Sequence, residues 1–227
     1  MSYSLSKSCQ IKNLSNIYEK LFGPNKLDGH FVEVGAYDGE SFSNTSGLAD
    51  CGWNGLYIEP IKELATACAN RHSKNKVLVA NVAIGPEEKI VDIYYGHSLT
   101  TLKKEQVEMY EQIDWAKGHH QGKTFKVKQM PLEKVLQKSQ VPVNFDLLVV
   151  DVEGFEYEVF KSFDLNIWKP KVMIVEIEDQ HPSFEKFSNF TNSCKELRNY
   201  ITNNGYFQFY VDEINTIFVS DEMKDGL

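Results

Sequence analysis

The sequence holds only four cysteines, Cys9, Cys51, Cys68 and Cys194, and no two of them form a Cys-x-x-Cys pair. That absence leaves zinc ribbons and thioredoxin-like redox chemistry without support. A reduced, cytoplasmic chain is the simplest expectation. No apolar run reaches the roughly 18 residues of a membrane-spanning helix, and the opening Met-Ser-Tyr-Ser-Leu-Ser-Lys has no apolar signal core. Positive charge is also scarce. The chain carries 24 Lys and Arg against 32 Asp and Glu, a net charge of −8. That balance argues against a nucleic-acid partner or an anionic membrane surface. The deficit is uneven: residues 101–140 hold eight Lys against five acids, whereas residues 141–227 hold sixteen acids against seven bases. The lysine-rich segment suits either an anionic acceptor or a solvated helix face. Internal repeats, linkers and low-complexity segments are missing. What remains, 42% hydrophobic and 12% aromatic over 227 residues, suits one globular domain spanning 1–227.

The most informative stretch is His30 to Glu40, His-Phe-Val-Glu-Val-Gly-Ala-Tyr-Asp-Gly-Glu. Phe31, Val32 and Val34 predict a buried strand that stops at Gly35, with Gly39 four residues on. A strand ending in a glycine-rich turn leaves backbone N–H groups for a polar ligand. Glu33 interrupts the apolar run, and a buried carboxylate needs a partner. A ligand ammonium would serve, which points to a cofactor with an amino-acid end, S-adenosylmethionine. The competing dinucleotide fingerprint Gly-x-Gly-x-x-Gly requires a middle glycine, and position 37 is Tyr.

The rest of the chain alternates. Helical spacing covers residues 8–22 and ends at Gly23-Pro24. Ser43-Asn44-Thr45 supplies N-cap types for a short helix. Gly55 to Pro60 reads as a second strand closing on Glu59, twenty residues after Gly39. An acid at about that distance accepts hydrogen bonds from ribose hydroxyls in doubly wound folds. A helix over 61–72 leads to a third strand, Lys76 to Asn81, where Asn81 is placed to read an adenine edge or to make a turn. Strands follow at 88–95 and at Phe125–Gln129, with weak helical spacing over 100–117 and a short helix at Leu132–Lys138. Phe145 to Val150 is the most hydrophobic strand, as a central parallel strand requires. It runs into Asp151-Val-Glu-Gly-Phe-Glu156. Val172 to Glu178, a helix over 184–203, and a hairpin of Tyr206–Val211 with Thr216–Val219 complete a three-layer, mostly parallel α/β sheet.

Five signals now stand in order: Phe31-Val-Glu-Val-Gly-Ala-Tyr-Asp-Gly39, Ser43-Asn-Thr45, Gly52-Trp-Asn-Gly55 leading to Ile58-Glu-Pro60, Asp151-Val-Glu-Gly-Phe-Glu156, and Trp168-Lys-Pro170 leading to Ile174-Val-Glu176. This set resembles the FkbM family of S-adenosylmethionine-dependent methyltransferases over roughly residues 28–185. The resemblance implies a Rossmann-like class I methyltransferase fold with a seven-stranded sheet and an antiparallel last strand. It also implies O-methylation of a hydroxyl, commonly on a sugar or a polyketide-type product. The expected cofactor residues are Glu33, Gly35, Ala36, Gly39, Asn44, Thr45, Glu59, Asn81 and Asp151. The first motif has Glu33 where the family more often has Asp, and residues 97–128 carry no motif that aligns.

A sulfonium methyl is already activated, so the protein's task is alignment and removal of the hydroxyl proton. Asp151 ends the central strand at the topological switch point and is the expected catalytic residue. Asp151, Glu176 and Glu178, from two neighbouring strand ends, are a candidate Mg²⁺ or Mn²⁺ set; the alternative is that the acids after the strand cap the next helix. The insertion 97–128 is the expected acceptor side, with His97, Ser98, Trp115, His119 and His120 as substrate candidates, because aromatic faces stack on sugar rings and neutral histidines bind hydroxyls. An NAD-dependent oxidoreductase, a non-catalytic binding module of the same fold and an RNA ribose methyltransferase are the rival readings.

Overall fold

The computed structural model describes Tyr3, Leu5, Ser6 and residues 8–227. Helix α1 (Leu14–Phe22) precedes β1 (His30–Val34), α2 (Ser46–Asp50), β2 (Asn54–Ile58), α3 (Lys62–Arg71) and β3 (Val77–Ala80). Next come β4 (Ala83–Ile84), β5 (Lys89–Tyr94), α4 (Lys104–Tyr110), β6 (Thr124–Met130) and α5 (Leu132–Lys138). The last part holds β7 (Leu147–Val150), α6 (Glu156–Phe160), α7 (Leu165–Trp168), β8 (Val172–Glu176), α8 (Ser188–Asn203), β9 (Tyr206–Val211) and β10 (Asn215–Ser220).

Seven strands form one sheet in the order β3-β2-β1-β7-β8-β10-β9. All neighbours are parallel except β10, which runs antiparallel to both β8 and β9. This is the mostly parallel sheet that the alternation of strands and helices predicts, with the seven strands and antiparallel last strand that the family resemblance implies. The period of two along each strand divides the core between the faces. Val32, Val34, Leu148, Val150, Met173 and Val175 pack on one side with residues of α5, α6 and α8. Phe31, Leu147, Val149, Val172 and Ile174 pack on the other with residues of α1 and α2. Continuous apolar runs are therefore needed in β7 and β8, since helices cover both faces.

The same alternation places Glu33 on the α1 and α2 face. There it accepts hydrogen bonds from Ser43 Oγ (3.0 Å), Asn44 N (3.4 Å) and Thr45 Oγ1.

Three expectations change. The first helix begins at Leu14, not at residue 8, because Asn13 sits in the left-handed region (φ 59°) and a right-handed helix cannot run back through it. The long helix begins at Ser188, not 184, because Pro182–Phe184 form a separate 3₁₀ turn. The strands at 89–94 and 124–130 do not join the main sheet. With β4 they make a second, three-stranded sheet in the order β4-β6-β5.

Candidate active site

The chain leaves β1 for β2 on one side, and β7 occupies the other, so the carboxyl ends of β1 and β7 flank the switch point. A cleft of about 410 Å³ opens there. The ends of β1, β2, β7 and β8 contribute Glu33, Gly35, Ala36, Glu59, Asp151, Glu176 and Glu178 to its wall.

Gly35 is required by the protein itself. Its φ is +92°, and a Cβ there would lie 1.7 Å from the Asp151 carbonyl oxygen. The N–H groups of Gly35 and Ala36 both donate to Ile58 O, at 3.0 and 3.1 Å, so they are engaged by β2 rather than left open for a ligand. Gly39 is not in the cleft wall: it packs on α3, where a Cβ would meet Cys68 Sγ at 2.7 Å and the His72 ring at 3.0 Å. These two glycines let β1 approach β7 and let the loop approach α3.

Glu59 ends β2 as expected. Its carboxylate accepts from Tyr37 N (3.0 Å) and Ile61 N (2.7 Å), tying the two loops that border the cleft. Burial pushes its carboxyl up to about 7 against those two stabilising bonds. Two amide donors leave lone pairs on this carboxylate for a ligand hydroxyl. Asn81 does not reach the cleft. Its side-chain amide donates to Glu59 O and Pro60 O, both at 2.9 Å, so it holds the loop after β2. The wall on this side is apolar instead, formed by Leu64, Val82, Ala83, Ile84 and Ile93. Asn44 and Thr45 also stand behind the wall, as partners of Glu33, while Ser41, Phe42 and Ser43 line it. Glu33 is pushed up to about 7, chiefly by burial.

The strongest electrostatic feature lies at the ends of β7 and β8. Carboxylate oxygens of Asp151, Glu153 and Glu176 all fall within 4.8 Å of one another. Burial raises all three, and repulsion from Asp151 adds to it for Glu153 and Glu176. Glu178 is nearby and raised by burial and then by Glu156 and Asp151. Of the expected metal candidates the structure brings Asp151 and Glu176 to this spacing, and Glu153, not Glu178, completes the group. The cause is local backbone. Glu153 has φ 57° and Gly154 φ 86°, a left-handed pair that turns the Glu153 side chain back toward Asp151. Tyr110 OH then donates to the Glu153 carboxylate, and Thr101 Oγ1 to its carbonyl (2.7 Å). An all-oxygen anionic donor set at this spacing fits a hard divalent cation such as Mg²⁺ or Mn²⁺. It equally complements any cationic ligand.

The segment 97–128 reaches the cleft through His97, Ser98, Leu99, Thr100, Leu102 and Trp115. His119 and His120 are not in the wall. His120 stacks on Tyr110 with ring centroids 5.9 Å apart, under Gly96. The segment also builds its own core from Leu99, Met109, Tyr110, Ile113 and Ala116, closed by Phe184. His181 joins the wall beside Trp115, a neighbour that no motif announced.

A sequence model of the FkbM methyltransferase domain matches residues 33–207 of this chain. The chain belongs to the FkbM methyltransferase family. It is thus an S-adenosylmethionine-dependent methyltransferase, and the oxidoreductase reading is set aside. The match takes in the loops after β1, β2, β7 and β8 that form the cleft. No curated protein matches the sequence. Among solved structures the fold is similar to an O-methyltransferase from Bacillus cereus in complex with S-adenosylhomocysteine (13% identity, 97% of this chain and 83% of that one, TM-score 0.49). It is also similar to the S-adenosylhomocysteine-bound methyltransferase PaMTH1 of Podospora anserina (10%, 84% and 71%, 0.47). The Methanococcus jannaschii fibrillarin pre-rRNA processing protein is similar too (13%, 87% and 68%, 0.46). Among the described residues no helix is long and apolar enough to cross a membrane.

Proposed function

We propose that this FkbM enzyme O-methylates a hydroxyl of a small polyhydroxyl acceptor, a sugar or glycan unit, in the cytoplasm. The observation that carries the reading is the cluster of raised carboxylates, Asp151, Glu153 and Glu176, in the same cleft wall as Trp115 and His97. When bound, S-adenosylmethionine supplies an activated methyl carbon, which the acceptor oxygen takes while sulfur keeps the bonding pair. Glu59 would hold the ribose hydroxyls, and the Gly35–Ala36 turn and Glu33 shape the floor beside Asp151. Asp151 accepts the hydroxyl proton. Its raised carboxyl makes it a stronger base near neutral pH than an ordinary aspartate. Tyr110 holds Glu153, and Trp115 offers an aromatic face to the acceptor ring. A divalent ion held by Asp151, Glu153 and Glu176 would lower the pKa of the acceptor hydroxyl as a Lewis acid.

The test is transfer of labelled methyl from S-adenosylmethionine to a panel of glycosides, with an RNA oligonucleotide and a lysine peptide as controls. Label in glycoside hydroxyls, lost in Asp151→Asn, is the expected result. Label only on nitrogen would overturn the hydroxyl reading, and label only in the RNA would overturn the small-acceptor reading. EDTA sensitivity restored by Mg²⁺ or Mn²⁺ separates the metal-assisted form from Asp151 acting alone.

A further inference from the structure

A second cavity, of about 620 Å³, opens between α4, α6 and α8. Its size lies within the range of small-molecule pockets, about 300–1,000 Å³. The two cavities share Glu176 as a common wall. The turn 151–156 is the partition: Asp151 and Glu153 line the cleft, and Gly154 and Glu156 line the second cavity. A molecule that presents a hydroxyl to Asp151 therefore has a second space directly behind the partition.

One residue marks that space as a binding site. Gln106 is only 4% exposed and lines the second cavity, yet its Nε2 has no hydrogen-bond partner. It shares the buried stripe of α4 with Met109 and Tyr110, where an apolar side chain would pack without a polar cost. A buried amide without a partner destabilises a fold, and most such groups in native proteins are satisfied. Gly154 makes room for this one, since a Cβ there would lie 2.5 Å from Gln106 Oε1. The fold thus accommodates an amide that it does not itself use.

Resting on the hydroxyl-acceptor reading, we propose that the second cavity is an acceptor subsite. It holds the neutral polyhydroxyl unit next to the methylated one, with the Gln106 amide donating to one of its oxygens. The wall chemistry selects this ligand class. Glu105 and Glu108 line the cavity and oppose an anion. Lys103 is paired with Glu158 (3.2 Å), which offsets its charge, and Lys186 Nζ spends one donor on Gln112 O (3.2 Å). Ser188, Asn189 and Ser193 add uncharged hydrogen-bonding groups, and Met109 and Phe190 add apolar surface. Uncharged donors and acceptors beside apolar patches match the alternating faces of a sugar ring.

The test uses the full chain, with S-adenosylhomocysteine for the cofactor site and maltose, cellobiose and lactose as probes, read by saturation-transfer NMR and thermal shift. At least one disaccharide should bind wild type. Gln106→Leu should raise the ligand-free Tm by about 2–4 °C, because the unpartnered amide is gone. It should also weaken disaccharide binding at least tenfold, with S-adenosylhomocysteine affinity unchanged. Ser193→Trp, which fills the cavity from half-exposed α8, should block the disaccharide without the Tm gain. Disaccharide affinity equal in wild type and both variants overturns the subsite, as does wild type that binds S-adenosylhomocysteine and no disaccharide. Disaccharide binding that depends on Gln106 in a protein that ignores S-adenosylhomocysteine would sustain the subsite and sink the methyltransferase reading instead.

Discussion

A methyl group at position 35 would sit 1.7 Å from the Asp151 carbonyl oxygen, and the backbone there already has φ +92°. Gly35→Ala is therefore a folding variant before it is a binding variant. We expect it to lower Tm sharply and reduce soluble yield, because β1 and β7 must part to admit the side chain. A Gly35→Ala protein with unchanged Tm would show that the loop is more yielding than this geometry allows. Glu59 separates its two roles more cleanly. Glu59→Gln keeps an acceptor for one backbone N–H and removes the charge, so it should stay folded and lose cofactor affinity by about 1.5–3 kcal/mol, the usual worth of hydrogen bonds to a charged group. Calorimetry with S-adenosylhomocysteine measures this directly, and undiminished affinity would remove Glu59 from the site. At this scale the sequence was partly legible. Glu59 and Asp151 announce themselves as acids ending apolar strands. Gly39 and Asn81 fall in the same motifs but serve packing and loop bracing, a distinction set by tertiary neighbours. Glu153 was hidden because its orientation depends on the left-handed Glu153-Gly154 pair, and Gln106 because nothing in a helix pattern says that an amide lacks a partner.

Elements were legible where hydrophobic runs are continuous. β7 and β8 need apolar residues on both faces, so their sequences are hard to misplace. β5 and β6 alternate only loosely and pair with each other in a separate sheet, and a one-dimensional pattern carries no information on which sheet a strand joins. The segment 97–128 has two natures. It packs its own small core with Phe184, and it sends Trp115 and His97 into the cleft. Trp115 is 47% exposed and donates from Nε1 to Ser183 Oγ (3.1 Å), so it is held in place without being buried. Trp115→Ala should lower kcat/KM for the acceptor roughly tenfold or more while cofactor affinity and Tm change little. Replacing Tyr110, which is fully buried, should instead cost Tm and activity together. If Trp115→Ala lowers Tm as much as Tyr110→Ala, the segment is packing alone and its acceptor role fails.

For the whole molecule, the sheet order fixes where charge collects. Parallel strands end on one edge, and four of them end in acids. Burial raises Glu33 and Glu59 to about 7 and Glu178 to about 8. In the unfolded chain these groups ionise near their ordinary value of 4.5. Between 4.5 and about 7 the native state holds protons that the unfolded state has released, so stability falls as pH rises through that window. The ligand-free Tm should accordingly drop from about pH 5 to about pH 8; a flat or rising profile would mean the carboxylates are solvated. A cationic ligand reverses the penalty by favouring the ionised acids. The central claim is that this acidic edge receives the sulfonium, and its most direct test compares S-adenosylmethionine with S-adenosylhomocysteine, whose sulfur is uncharged, by calorimetry in EDTA from about pH 6 to about pH 7.5. As Asp151, whose carboxyl burial raises to about 6, loses its proton, preference for the sulfonium should grow by at least about threefold. A preference that stays flat or shrinks over that range would contradict the account.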